Sequence, residues 1–438
     1  MSRYKTALLV FDRDLRLQNQ AALAEACAQS EQLLCVHFLN TQTQGWGAIH
    51  SQARAPAAQA FYWQALVDLQ TRLAEFGQSL WILEKPAKEV FPSLIDEYSI
   101  QAVYLSEHAD FNQQKQWGFL KSAFPYLNWH LYHTHSLWSL EALPFSLDDL
   151  PDTFSAFRRQ LEKTKLMPPK PLPAPKYWPP SPVKINQNTL KIADSLNFKG
   201  GETNALIHLQ NYFNQDHALS YKQTRNALMG ENTSTCFSPW LAQGCISAAQ
   251  ILEALRTFEC QHQANESTYW IYFELLWREY FHLYARKYQG KLFHSQGIHK
   301  EKKTIGGSFY AQRFAKWCAG NTPNDLINAC MHQLNAQGFL SNRGRQLVAS
   351  YLIYDLGIDW RYGAAYFEKH LLDYDVAVNW GNWQYIAGVG ADPRGGRHFN
   401  ISKQAELYDA KRHYRNLWQG QATCLPLDAV GIDDWPLE

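Results

Sequence analysis

The sequence lacks the charge imbalance, the long apolar run and the signal segment that would assign it to a class at once. Its 41 Lys and Arg residues are offset by 40 Asp and Glu residues, so binding to nucleic acid would require a local basic patch. No apolar run reaches the length of a membrane span. Residues 1–14 have the pattern of a strand and not of a signal peptide, so we expect a cytoplasmic protein with no membrane partner.

Two motifs that report on metals and cofactors are also missing. None of the eight cysteines stands in a C-x-x-C pair, so we interpret them as reduced thiols and expect neither disulfides nor a metal site. No G-x-G-x-x-G follows the first strand-like run, so the usual dinucleotide fingerprint is excluded. Aromatic residues, in contrast, make up 14% of the chain. That content suits stacking on planar ligands, although a large aromatic core explains it equally well.

The N-terminal third alternates short apolar runs with longer helical ones. The helix-like stretches include residues 57–76 and 114–123. The strand-like runs are residues 7–11, 33–39, 81–83, 102–105 and 129–132. Alternation of this kind predicts a parallel, Rossmann-like sheet with crossover helices. We therefore expect an α/β domain over residues 1–135.

A proline-rich segment separates this part from the rest of the chain. Residues 167–182 hold eight prolines in sixteen positions, which excludes helix and leaves few amide donors for a sheet. We predict an extended connector within residues 136–199. Beyond it the apolar residues recur with a helical period, so residues 200–438 should form an all-α domain. Breaks between its helices are expected at Gly338, Gly357 and Gly381.

One stretch of the second half is too polar for a core and too aromatic for a surface. Residues 372–385 read LDYDVAVNWGNWQY and include Asp373, Asp375, Asn379 and two tryptophans. Because burying unpaired carboxylates and amides is costly, such a run needs fixed polar partners.

Arginines near a predicted helix start supply candidate partners. In FLSNRGRQLVASYL (339–352), Ser341 can cap a helix whose first turn holds Arg343 and Arg345. Cations at a helix N-terminus oppose the macrodipole, which indicates that acids or phosphates hold them there. Asp373 and Asp375 are the candidate acids.

Two further runs carry polar groups at positions that suit a ligand. Residues 269–288 predict a helix that is apolar nearly all round, with Glu274 and Arg278 four positions apart on one face. A surface ion pair is the commoner explanation of that spacing, and a buried polar ligand is the alternative. ENTSTCFSPW (231–240) brings hydroxyls and amides to a turn before a helix, as a phosphate cradle requires, although ordinary helix caps share this pattern.

Taken together, these runs resemble the photolyase/cryptochrome flavoproteins, and specifically the DASH cryptochromes. The matching segments are SNRGRQLVASYL (341–352), GIDWRYGAAYFE (357–368), LLDYDVAVNWGNWQYIAGVG (371–390), YKQTRNALMGENTSTCFSPWLAQGCIS (221–247), FELLWREYF (273–281) and LPFSLDDLPDTFSAFRR (143–159). The resemblance implies an N-terminal α/β domain, a connector over residues 136–199 and an all-α catalytic domain that binds FAD.

The resemblance also implies which residues hold the cofactor. The matching cofactor-binding positions are Tyr221, Ser234, Thr235, Cys236, Phe237, Ser238, Asn342, Arg345, Asp373, Asp375 and Asn379. Asp375 is expected to accept from a flavin N–H and Asp373 to pair with Arg345. Asn379 is expected next to the flavin N5, and Cys236 stands where the family often has a basic residue.

The activity implied by the resemblance is that of a deoxyribodipyrimidine photo-lyase. In that family, light-excited reduced FAD donates an electron to a cyclobutane pyrimidine dimer, whose ring opens before the electron returns. The matching catalytic positions are Trp383, Trp360, Asn379 and Glu274, the two tryptophans being members of the chain that reduces the flavin. Gly307 stands at the position of the third tryptophan, which implies that this chain of electron carriers is incomplete.

DNA is the implied partner, and a single strand that contains dimers is the expected substrate of a monomeric protein. The matching DNA-binding positions are Arg225, Trp277, Arg278, Arg343, Tyr385, Arg394 and Arg397. Unpaired DNA avoids part of the cost of extruding the dimer, and aromatic and basic side chains suit single strands. Many relatives also hold 5,10-methenyltetrahydrofolate as an antenna. Asn112 fits that site, but Gln113 replaces the expected carboxylate. Whether this chain binds the antenna is therefore left open.

Two alternatives share the same flavin pocket. The first is a blue-light photoreceptor that signals through a partner with little or no repair. The second is a flavoprotein that binds RNA or undamaged DNA, because aromatic stacking alone does not separate these ligands.

Overall fold

A five-stranded parallel sheet forms the N-terminal part of the protein. The strands are β1 (Tyr4–Phe11), β2 (Ser30–Phe38), β3 (Leu80–Leu83), β4 (Ala102–Ser106) and β5 (Asn128–Tyr132). They lie in the order β3-β2-β1-β4-β5, and all four pairings are parallel. The computed structural model describes residues 3–39, 53–183, 198–230, 233–299, 309–392, 394–423 and 427–428. The prediction of a parallel α/β sheet is confirmed, and every predicted strand overlaps an observed one.

Helices alternate with the strands and cover both faces of the sheet. They are α1 (Ala21–Gln29), α2 (Pro56–Glu75), α3 (Ala87–Tyr98) and α4 (Phe111–Ala123). The central strands are apolar and buried on both faces, as a parallel sheet between helices requires. Pro56 begins α2, where a missing N–H costs nothing, and Asp110 caps α4 by accepting from two backbone amides.

The proline-rich segment lies along the α/β part as an extended chain. It follows α5 (Phe154–Thr164), and residues 166–183 form neither helix nor strand. The Leu172 carbonyl oxygen accepts from the Asn19 N–H at 2.8 Å, and the Pro180 carbonyl oxygen accepts from the Leu33 N–H at 3.1 Å. Prolines accept hydrogen bonds but cannot donate them, so the prolines attach through their carbonyl groups, whereas the Leu172 N–H also donates to Asn19 Oδ1 at 3.2 Å.

The second half of the chain is helical, as predicted. Its helices are α6 (Glu202–Phe213), α7 (Tyr221–Thr224), α8 (Ser238–Gln243), α9 (Ala248–His262), α10 (Glu266–Tyr288), α11 (Ala311–Ala319), α12 (Asp325–Gln337), α13 (Asn342–Ser350), α14 (Trp360–His370), α15 (Val376–Ala387), α16 (Ile401–Asp409) and α17 (His413–Leu417). Within the described ranges, every helix is too short or too polar to span a lipid bilayer.

One predicted helix break is wrong. Gly338 and Gly357 have left-handed backbones with φ of 65° and 68° between helices, as expected. Gly381, however, lies inside α15. A Cβ there would lie 2.3 Å from the ring of Phe281 on α10, so this glycine allows close packing of two helices and does not end one.

The α/β and helical parts meet through buried polar contacts around the loop after β1. Arg16 donates to the carbonyl oxygens of Gly244 at 2.9 Å and Thr134 at 2.7 Å. Glu202 accepts from the backbone amides of Leu17 and Gln18 at 2.6 and 3.0 Å. Because these groups are removed from water, their pairing fixes the two parts against each other.

Gly244 provides a test of this junction. It ends α8 with φ of 68°, and a Cβ would lie 1.8 Å from the Arg13 carbonyl oxygen. Gly77 has a similar φ of 71° with nothing within 4 Å of a Cβ. We expect Gly77→Ala to lower the free energy of unfolding by about 1 kcal/mol and Gly244→Ala by about 3 kcal/mol or more, as measured by urea denaturation. Equal losses for the two variants would show that the junction tolerates a side chain at Gly244.

Helix α10 holds the start of the connector through Glu279. Its Oε2 accepts from the Leu137 N–H at 2.9 Å, and its Oε1 is buried with no hydrogen-bond partner. Burial raises the pKa of Glu279 from its ordinary value of 4.5 to about 7, and the Leu137 N–H and the Arg278 charge only partly offset burial.

The raised pKa predicts a pH dependence of stability. The folded protein binds the Glu279 proton more tightly than the unfolded chain does. Protonation of Glu279 therefore makes its full contribution to the free energy of unfolding below pH 4.5, and that contribution is lost as the pH rises to about 7. Glu279→Gln keeps an acceptor for Leu137 and does not titrate. We expect it to match the native protein near pH 4.5 and to be roughly 1–3 kcal/mol more stable at pH 8 in urea denaturation. The exposed Glu406→Gln is the control, and the same pH profile for both variants would contradict the assignment.

Candidate functional site

Arg345 and Asp373 form a bidentate ion pair whose carboxylate is buried and whose guanidinium is partly exposed. Arg345 Nη1 lies 3.0 Å from Asp373 Oδ1, and Nη2 lies 2.8 Å from Oδ2. Arg345 Nε also donates to the Leu340 carbonyl oxygen at 2.8 Å. The Asp373 side chain is only 3% exposed. The pairing predicted for these two residues is therefore present, and it explains a cation in the first turn of α13.

Asp375 caps α15 and has two fixed donors. Its Oδ1 accepts from the Val378 N–H at 3.0 Å, and its Oδ2 accepts from Nε2 of His282 at 2.8 Å. Burial opposes its ionisation, but His282 and the charge of Arg278 outweigh burial and hold the pKa of Asp375 well below its usual range. Asn379, one turn along α15, is buried and donates its side-chain N–H to the Ala364 carbonyl oxygen at 3.0 Å. Asp375 is therefore a charged acceptor in a fixed position.

The turn over residues 233–238 has the donors that a phosphate group needs. Cys236 has a left-handed backbone with φ of 51°, and His208 Nε2 lies 2.8 Å from the Thr235 carbonyl oxygen. The hydroxyls of Ser234, Thr235 and Ser238 have no hydrogen-bond partner among the described residues. Free hydroxyls beside a bent backbone are the arrangement that binds diphosphate groups.

This turn lies next to the Arg345–Asp373 pair. Burial raises the pKa of the Cys236 thiol to about 11, and the nearby Asp373 charge adds to that effect. Phe237 is 3% exposed and packs against His208, so its side chain belongs to the core. The polar groups of the site therefore comprise free hydroxyls, an ion pair and a charged acceptor, and this combination fits a dinucleotide with a polar ring.

Two other predicted cofactor residues lie at helix starts. Tyr221 begins α7 and is 6% exposed, and burial raises the pKa of its hydroxyl. Asn342 begins α13 and is exposed, with no partner among the described side chains. Their contacts with a cofactor stay a prediction.

Helix α10 presents Glu274, Arg278 and His282 at intervals of four residues. Glu274 pairs with Arg225, whose guanidinium lies 4.2 Å from the ring centre of Trp270. Burial raises the pKa of Glu274, and Arg225 opposes that shift. Arg278 donates to the His135 carbonyl oxygen at 2.6 Å and so points toward the α/β part. Glu274 and Arg278 therefore do not pair with each other, although their spacing allows it.

An aromatic and basic rim lies on the outer side of this helix. The ring centres of Trp277 and Tyr385 are 5.6 Å apart at 76°, and Trp277 also stacks on Phe154 at 3.8 Å. Arg397 donates to the Tyr385 hydroxyl and pairs with Asp392 at 3.1 Å. We call Arg225, Trp277, Arg343, Tyr385 and Arg397 the rim.

Arg343 of the rim and the two predicted DNA contacts outside it, Arg278 and Arg394, differ in position. Arg343 donates to Asn226 at 3.1 Å and lies 5.1 Å from the ring centre of Tyr408. Arg394 is exposed in the loop after Asp392. Arg278 is not brought together with the rim, so its role as a DNA contact stays a prediction.

Trp383 and Trp360 are both buried in the helical part. Trp383 lies edge-on to Phe367 at 5.1 Å, and Trp360 lies edge-on to Trp380 at 5.6 Å. Trp360 Nε1 donates to the Ser295 carbonyl oxygen at 3.0 Å. Their role in electron transfer is untested, and Gly307 lies outside the described residues.

The predicted antenna residues open helix α4. The backbone amides of Asn112 and Gln113 donate to the Asp110 carboxylate at 2.9 and 3.4 Å. This contact orients the first turn of α4. The folate antenna itself stays a prediction.

Sequence reasoning missed His282, Trp270 and Phe154. His282 stands four residues after Arg278 on α10, so the same helical spacing that selected Glu274 and Arg278 indicates it as well. Trp270 stands four residues before Glu274 and could have been found in the same way. Phe154 comes from the connector, and only the folded chain brings it to Trp277.

The Arg345–Asp373 pair predicts that one substitution lowers stability strongly and that a second one restores it. Arg345→Met leaves the Asp373 carboxylate buried without its cation, which should lower the free energy of unfolding by about 3–5 kcal/mol. Adding Asp373→Leu removes the unpaired charge and should restore most of that loss. Urea denaturation at pH 7 measures both variants. A double variant no more stable than Arg345→Met alone would contradict the electrostatic cause.

Comparison with known proteins agrees with this geometry. The model of the FAD binding domain of DNA photolyase matches residues 270–434, and the DNA photolyase model matches residues 7–176. A cryptochrome DASH of Idiomarina loihiensis is 47% identical over 100% of this chain and 98% of its own, and one of Vibrio parahaemolyticus is 43% identical over 99% and 97%. A cryptochrome structure from Synechocystis sp. has a TM-score of 0.89 at 34% identity, covering 98% of this chain and 91% of its own. The chain therefore belongs to the cryptochrome DASH group of the photolyase and cryptochrome family, and it contains that family's FAD-binding domain.

Proposed function

We propose that the protein is a deoxyribodipyrimidine photo-lyase that uses blue light to split cyclobutane pyrimidine dimers, with a preference for single-stranded DNA. The observation that carries the proposal is the position of the rim. Trp277 stands on α10 five residues before His282, whose side chain contacts Asp375, so aromatic faces and cations lie on the helix that reaches a residue assigned to the cofactor. In this proposal residues 1–135 form the α/β domain, 136–199 the connector and 200–438 the catalytic domain.

The chemistry that FAD supplies when bound is the light-driven transfer of one electron to the dimer and its return. The side chains of the chain hold the cofactor for that purpose. Ser234, Thr235 and Ser238 donate their free hydroxyls to its diphosphate. Asp375 accepts a hydrogen bond at a flavin N–H, because it is charged and its two donors fix its position.

Asn379 and the Arg345–Asp373 pair complete the polar lining. The Asn379 amide is anchored to the Ala364 carbonyl oxygen, so its side-chain oxygen has a fixed direction near the proposed flavin edge. An amide does not exchange protons near pH 7, unlike a carboxylic acid. The ion pair adds polarity without net charge, since its two charges cancel.

The rim accounts for binding to DNA. Trp277 and Tyr385 present aromatic rings to an unstacked dimer, and Glu274 lies one turn from Trp277 to accept from the exocyclic groups of the bases. Arg225, Arg343 and Arg397 contribute cations for the phosphates. Because net charge is only +1, this local patch and not the whole protein attracts DNA.

A repair assay tests the proposal. The protein with reduced FAD is illuminated with blue light in the presence of oligonucleotides that contain one dimer, in single-stranded or duplex form. We expect dimer loss on the single strand at least several-fold faster than on the duplex, because a paired dimer must first be extruded at a cost of a few kcal/mol. Flavin photochemistry without dimer loss on either form would contradict repair and support the photoreceptor alternative.

Variants separate DNA binding from flavin binding in the same assay. Arg343→Gln should weaken binding to the oligonucleotide and flatten its salt dependence by roughly one unit of the logarithmic slope, with unchanged flavin absorbance. Arg3→Gln removes an exposed cation of the α/β part and is the matched control. The same effect from both variants would show that only overall charge matters.

A further inference from the structure

His282 is a buried imidazole whose hydrogen bond goes directly to a residue assigned to the cofactor. It lies on α10 and is 4% exposed, and its Nε2 lies 2.8 Å from Asp375 Oδ2. No other described residue forms a hydrogen bond with this side chain. The proposed function assigns no role to His282.

The groups around His282 favour its neutral form. Burial lowers its pKa, and the charge of Asp375 opposes that shift while Arg278 and Arg286 reinforce it. From the α/β part, His108 and His135 approach the same region with ring centres 3.7 Å apart, and burial lowers the pKa of both. Burial and the two arginines therefore favour the neutral imidazole, which faces one carboxylate.

A neutral imidazole beside a carboxylate has only one productive tautomer. Ionised Asp375 has no proton to donate, so the shared proton must lie on Nε2 of His282. This hydrogen bond occupies one lone pair of Oδ2, and the Val378 N–H occupies one of Oδ1. Each oxygen keeps a second lone pair, and the Asp375 side chain remains 15% exposed. The carboxylate is thus held from two sides and is still able to accept from a ligand.

A neutral donor has a consequence that a cation would not have. A protonated imidazole would form an ion pair and cancel most of the Asp375 charge, whereas a neutral N–H fixes the carboxylate and leaves its charge available. An Asp375 without this donor would keep only its cap contact to Val378 and could rotate about its side-chain bonds.

We propose that His282 is a positioning residue of the cofactor site, whose Nε2–H orients the Asp375 carboxylate as the acceptor for a flavin N–H. The inference deepens the proposed function and rests on the place given there to Asp375. It assigns to α10 a direct part in binding the cofactor, in addition to its part in the rim.

Two neutral amides at position 282 form a matched test, because they differ in reach. The amide of His282→Gln can place its nitrogen near the position of Nε2, whereas that of His282→Asn is one carbon shorter and cannot reach Asp375. We expect His282→Gln to bind FAD within about threefold of the native protein and His282→Asn about tenfold more weakly, since a hydrogen bond to a charged group is lost. The dissociation constant is measured by titrating flavin-free protein with FAD and following flavin fluorescence.

A second comparison separates positioning from simple packing. In an Asp375→Asn background the carboxylate is gone, so adding His282→Asn should weaken FAD binding less than about twofold further. The absorption spectrum of bound FAD reports the same contact, and His282→Gln should leave it unchanged. If His282→Asn weakens binding by the same factor in the native and the Asp375→Asn backgrounds, or if His282→Gln and His282→Asn are equally weak, the proposal is wrong.

The outcomes also distinguish this inference from the proposed function. A native protein that binds FAD but repairs no dimers leaves the His282 comparison intact and contradicts only repair. A native protein that binds no FAD contradicts both. Urea denaturation of each variant checks folding, and His282→Leu, which has no donor at all, replaces His282→Asn if the latter does not fold.

Discussion

Desolvation of helix α10 is the constraint on which the rest of the structure depends. This helix is buried along most of its length, and a carboxylate, guanidinium or imidazole without a partner is costly there. Four of its polar side chains are each held by a different part of the chain. Glu274 pairs with Arg225, Arg278 with the His135 carbonyl, Glu279 with the start of the connector, and His282 with Asp375.

These pairings connect the residues proposed to bind the cofactor with those proposed to bind DNA. The inner face of α10 reaches the start of α15, where Asp375 is held, and the outer face carries Trp277 into the rim. Small residues allow the close approach that this requires. A Cβ at Gly381 on α15 would meet the ring of Phe281 on α10. Between α14 and α15, a Cβ at Gly363 would lie 2.2 Å from the ring of Trp383. Bringing α10 and α15 together in this way places the residues proposed to bind the cofactor and those proposed to bind DNA within a few turns of each other.

The α/β domain takes part in the site indirectly. Arg16 and Glu202 fix the loop after β1 against the helical part, and the His135 carbonyl holds Arg278. The α/β domain thereby holds Arg278, whose charge helps to lower the pKa of Asp375. The connector adds Phe154, which stacks on Trp277 and so stiffens one aromatic face of the rim.

The family resemblance implied that Arg345 pairs with Asp373. The sequence by itself determined the parallel sheet, the extended proline-rich connector, the helical second half and the need of the arginines at the start of α13 for acids or phosphates. These follow from apolar periodicity, from the missing amides of proline and from a cation placed against a helix dipole, which are all local properties. Only the tertiary structure decided that Gly381 stays within a helix, that Arg278 turns toward His135 and that Glu274 pairs with Arg225. Each of these depends on which distant group the fold places beside the residue, and helical spacing alone does not specify that partner.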